Sequence, residues 1–116
     1  MRLTSVILDS ADPTRLAAFY HEATGWPVVD SGEDYASLSA GDGLSLGFQR
    51  VQGYQGGGWP DDRKHAHVDF AVLDVDGTVA KLVALGASKP DFQPGGDGWT
   101  VVADPEGHLF CLSRAE

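Results

Sequence analysis

His65-Ala66-His67-Val68-Asp69-Phe70-Ala71-Val72 alternates as a half-buried strand does. Ala66, Val68, Phe70 and Val72 share one face, suited to packing on a helix. His65, His67, Asp69 and Ala71 share the other. A folded domain rarely lines one strand face with three ionisable groups unless that face is wet or holds something, so this strand is the expected floor of a binding site.

Working back from it, residues 51–64 form a connector too rich in Gly and Pro for an element interior and too aromatic for a plain linker. Its Tyr54 and Trp59 either fold over a cavity or pin the connector to the body. Ahead of it, Leu3 to Leu8 reads as a strand. Asp12-Pro13 starts a helix, because Asp accepts from orphan amides and Pro suits the first helical position. Leu16, Phe19, Tyr20 and Ala23 recur at helical spacing, and Gly25 stops the run. Trp26 to Asp30, Tyr35 to Ser39 and Leu44 to Gln49 follow as short strands between Gly-containing turns.

After the opening stretch the same order returns. Asp74 or Asp76 caps a helix with Val75, Val79, Leu82 and Val83 on one face, and Gly86 ends it. Ser88 to Phe92, Trp99 to Ala103 and His108 to Ser113 are the expected strands. Asp104-Pro105-Glu106-Gly107 has the residue order of a type I turn. Laying Val6 on Val68 also lays Asp12 on Asp74, so the chain reads as strand, helix and three strands, twice. Each half has a helix for only one sheet face. The expected architecture is α+β: a 3–50 module and a 65–113 module in one domain spanning 1–116, their sheets curved around a cleft.

The whole chain limits what that cleft could take. It has 116 residues and a net charge of −9, which disfavours nucleic acid and anionic membranes and favours a neutral or cationic ligand. Cys111 is the single cysteine, so no intrachain disulfide forms and a reducing, cytoplasmic setting is expected. The amino terminus, interrupted by Asp9, reads as neither a signal peptide nor a membrane span. The glycine runs at 56–58 and 95–98 precede no helix start, so they are not phosphate loops.

The paired modules, Asp12-Pro13 with Phe19-Tyr20 and Gly25-Trp26, and Asp104-Pro105-Glu106-Gly107-His108 resemble the vicinal-oxygen-chelate superfamily. That group holds glyoxalase I, extradiol dioxygenases and bleomycin-resistance proteins. Trp59-Pro60, His67-Val68-Asp69, Leu85-Gly86-Ala87 and Gly107 to Leu112 narrow the resemblance, which spans nearly the whole chain, to the glyoxalase-like subgroup. It implies four metal-ligand positions, on the first and last strands of each module. They fall here on Ser5, Gly47, His67 and Cys111. Ser5 and Gly47 supply no competent donor, and one imidazole with one thiol fills neither a tetrahedral nor an octahedral site. The resemblance therefore implies the scaffold more firmly than any activity.

The leading expectation is a metal-independent, cofactor-free protein binding a small aromatic or cationic molecule, as in sequestration of an antibiotic or metabolite. His67 and Asp69 anchor polar groups, with Ser5 and Cys111 beside them. Trp59, Trp99, Phe48 and Tyr54 supply apolar walls. The alternative is an enzyme of the same fold using His67. It could be a metal-assisted lyase or dioxygenase with a site at His65, His67 and Asp69, an acid–base isomerase using His67 and Asp69, or a thiol chemistry pairing His67 with Cys111. No catalytic residue is assigned. A homodimer is expected, since family members pair and exposed sheet edges need cover.

Overall fold

The structure, a computed structural model, describes residues 1–56, 59–60 and 66–115, and divides into two compact units, residues 1–55 and 56–116. In the first unit, strand β1 (Ser5–Ser10) leads to helix α1 (Pro13–Thr24), then β2 (Val28–Ser31), β3 (Tyr35–Gly41) and β4 (Leu44–Arg50). The sheet order is β1-β4-β3-β2, with β1 parallel to β4 and the other pairs antiparallel.

Helix α1 begins where the sequence places its cap. The Asp12 carboxylate accepts the Arg15 amide at 3.2 Å, and Pro13 fills the first position, where its missing N–H costs nothing. It ends on Gly25, whose left-handed φ of 78° lets its amide reach the His21 carbonyl; a side chain there would be strained. Leu16, Phe19 and Tyr20 are buried. Register settles which sheet residues they meet: the rows Leu8–Phe48–Ala36 and Val6–Leu46–Leu38 lie on one face. Tyr20 stacks on Phe48 with ring centroids 5.3 Å apart, so this is the face under α1.

In the second unit, β5 (Val68–Val72) and helix α2 (Val75–Ala84) precede β6 (Thr100–Ala103) and β7 (Leu109–Arg114), in the order β5-β7-β6. Again the first strand pairs parallel with the last. Asp74, not Asp76, caps α2, accepting the Gly77 amide at 3.0 Å. Leu82 is buried with Val75 and Val79 half-buried beside it, whereas Val83 is 47% exposed. The inward stripe is thus narrower than the four apolar residues suggested. Phe70 and Phe110 meet edge to face at 5.5 Å.

One expected strand is missing among the described residues. Ser88 to Phe92 makes only an isolated bridge, Ser88 to Ala103. Pro90 has no N–H to give a ladder, and the Gln93 side chain replaces the absent strand: its carboxamide accepts the Val101 amide at 2.8 Å and donates to the Val101 carbonyl at 2.9 Å. The turn after β6 forms as expected, with Gly107 N–H on the Asp104 carbonyl. The buried Asp104 carboxylate secures it, accepting the Glu106 and His108 amides at 2.8 and 3.0 Å and lying 2.8 Å from His108 Nδ1.

Candidate functional site

In the second unit, register sorts the side chains by face. Asp69 pairs with Cys111 and Cys111 with Val101, so these three form one row across the sheet. Leu109 and Ser113 share that face by period-two alternation. Phe70, Phe110 and Leu112 point the other way. The Asp69–Cys111–Val101 side floors a cavity of about 430 Å³, within the range that holds small organic molecules. Its floor is Val101, Leu109 and Cys111. Its walls are Trp59, Pro94, Gly98 and Trp99, with His67, Asp69 and Ser113 as polar groups.

The walls are held by specific bonds. Trp59 packs on the cluster of Val101, Ala103, Leu109 and Cys111, and its indole N–H donates to the Phe92 carbonyl at 2.8 Å. Trp99 lies so close over Gly95 that any Cβ there would run into the indole, which explains a glycine at that place in the turn. At the polar end, His67 Nε2 lies 3.3 Å from Asp69 Oδ1, with both side chains substantially exposed, 40% and 71%. A contact this open to water contributes little stability. Cys111 is only 8% exposed, on the central strand.

Of the expected site residues, His67, Asp69, Trp59, Trp99 and Cys111 come together in this cavity. Phe48 does not act as a wall: it is fully buried under Tyr20, because its position in β4 puts it on the helix side of the first sheet. Tyr54 belongs to the first unit, its amide turned back to the Val51 carbonyl. Ser5 pairs with Ser45 at the start of β1, also in the first unit. His65 lies outside the described residues. Val101, Leu109 and Ser113 escaped the sequence reading although their signal was present, since each stands an even number of residues from Cys111 or opposite it in the ladder. Gln93, which fixes Val101, carried no such signal.

Of the four ligand positions implied by the family resemblance, Ser5 and Gly47 carry no competent donor side chain. Gly47 is closed as well as ligand-free: a Cβ built on it would stand 2.5 Å from the Tyr35 hydroxyl, whose ring crosses that spot. Ile7 pairs with Gly47 as Asp69 pairs with Cys111, so the two modules occupy equivalent places differently. Among the described residues, donors gather in the second unit, where His67, Asp69 and Cys111 each offer an atom within 4.8 Å of the others.

Comparison with known proteins agrees with this fold. The glyoxalase-like domain family matches residues 5–113. A protein of Mycobacterium bovis named "Putative glyoxylase CFP32" is 32% identical over 109 residues, 88% of this chain but 40% of the relative, so the chain spans about two-fifths of that protein's length. A glyoxalase/bleomycin resistance protein/dioxygenase family enzyme from Burkholderia phytofirmans superposes with a TM-score of 0.76 at 20% identity, covering 100% of both chains. The bleomycin-binding protein of Streptomyces verticillus, solved with copper(II)-bleomycin, gives 0.64 at 17% identity over 100% of this chain and 98% of that one. At such identities the structural likeness speaks for the fold alone. No helix among the described residues is long and apolar enough to cross a membrane.

Proposed function

The chain belongs to the glyoxalase-like domain family, and from that premise we propose that it binds a small aromatic or cationic molecule on the helix-free face of its second sheet, without drawing on the family's four-donor metal centre. The cavity of about 430 Å³ carries this reading. Its apolar floor and two indoles suit an aromatic ring, and Asp69 at the rim suits a positive charge. The net charge of −9 raises the local concentration of cations. The bleomycin-binding neighbour supports small-molecule capture on this scaffold.

The test uses untagged protein stripped with a chelator. Benzamidine, an aromatic cation, should raise the melting temperature and change the indole fluorescence, and neutral benzamide should do so less. Asp69→Asn should weaken benzamidine binding by about tenfold, or roughly 1.4 kcal/mol, and Trp59→Ala by at least as much. Stabilisation that appears only after a divalent metal is restored would sink the proposal.

A second reading, acid–base turnover by His67 and Asp69, draws on their 3.3 Å approach beside the cavity. It requires a bell-shaped rate profile that His67→Ala abolishes with the fold intact. Pairing of two copies belongs to the leading reading as well. The first sheet ends at β2, where Val28 and Val29 stand exposed, and sedimentation should give a dimer mass.

A further inference from the structure

We propose that His67, Asp69 and Cys111 form a seat for one thiophilic divalent cation of the zinc(II) class, built within the second unit alone. One donor atom from each side chain lies within 4.8 Å of the others, and the His67–Asp69 pair is already at 3.3 Å. The backbone brings them together. Asp69 and Cys111 are register partners on neighbouring parallel strands, and His67 stands two residues before Asp69.

A tetrahedral zinc ion with bonds of about 2.0–2.3 Å holds its donors ~3.3–3.8 Å apart. The widest gap therefore closes by about an ångström or slightly more, a movement that rotation of the exposed His67 and Asp69 side chains supplies. Cys111, buried on the central strand, is the fixed point.

The donor types choose the metal. A thiolate with an imidazole and one carboxylate suits zinc and its neighbours and disfavours magnesium and calcium, which want oxygen donors throughout. Three protein donors leave a fourth position open, and all three residues line the cavity that Trp59 and Trp99 also line. This is not the family's arrangement. Neither first-unit position contributes, and Asp69 lies outside the four positions altogether. The proposal goes beyond organic-ligand binding and does not rest on it.

Untagged, chelator-stripped protein is titrated with cobalt(II), and zinc(II) is then added as competitor. One equivalent should bind, with a near-ultraviolet sulfur-to-cobalt charge-transfer band that zinc removes. Cys111→Ser should abolish the band. Asp69→Asn and His67→Asn, both at exposed positions, should each weaken binding by at least about tenfold, the loss that even an outer partner of a metal ligand produces. Their metal-free circular dichroism should match the parent. Absence of the band, its persistence in Cys111→Ser, or unchanged affinity in Asp69→Asn would overturn the proposal. Because benzamidine binding is measured on stripped protein, a failure there leaves this result standing, and the reverse also holds.

Discussion

In the first unit the sheet runs to four strands, with β2 completing the ladder beyond β3. In the second, the segment that would make the fourth strand touches β6 through the single Ser88–Ala103 bridge. The two halves start from the same order of elements, and the difference has a structural result. Beyond that segment, Pro94, Gly98 and Trp99 line the cavity. The helix-free face of the complete sheet carries Ser5, Ile7, Gly47 and Tyr35, whereas that of the incomplete one carries Asp69, Cys111 and the pocket floor. The two frames are similar, and the three-stranded one floors the cavity.

The contrast can be broken most forcefully at Phe48. If the first unit keeps its large aromatic as core, Phe48→Ala should cost about 3–5 kcal/mol in urea unfolding; a much smaller loss would mean Phe48 is a ligand wall after all. Next comes Asp104→Ala in the second unit. It strands two backbone amides that now donate to a buried carboxylate, and should cost about 2–4 kcal/mol by the same measurement. Gln93→Ala removes both bonds to Val101 and should cost about 1–2 kcal/mol. Faster hydrogen exchange at the Val101 amide should accompany it, and unchanged exchange would show that the carboxamide does not stand in for a strand. The mildest is Gly47→Ala. The obstruction is the tip of a tyrosine that can swing aside, so the loss should stay below about 1 kcal/mol. A larger loss would mean that Tyr35 is locked in place.

Much of this was legible in the chain. Asp12-Pro13 and Gly25 announced α1 because capping is local chemistry, satisfied within a few residues. The return of a strand and a helix at the start of the second unit followed from the repeat. His67, Asp69 and Cys111 could be nominated because two share a face of the strand expected over 65–72 and the resemblance supplied the third. Phe48 misled because alternation says which residues share a face but not which face the helix covers. Ser88 to Phe92 misled because its composition suits an edge strand, while the outcome turned on a glutamine side chain competing for the same backbone groups. Tyr35 crossing Gly47 was invisible, since it depends on a diagonal approach between strands that no single strand reveals.

The Gln93 carboxamide also bears on solubility. An unpaired outer strand invites a neighbouring polypeptide to add itself, the first step towards amyloid-like stacking. With the donor and acceptor of Val101 already engaged by a side chain, an incoming strand must evict that amide before it can bond at this point. The outer border of β6 is thus engaged at Val101 by a side chain and at Ala103 by the Ser88 bridge.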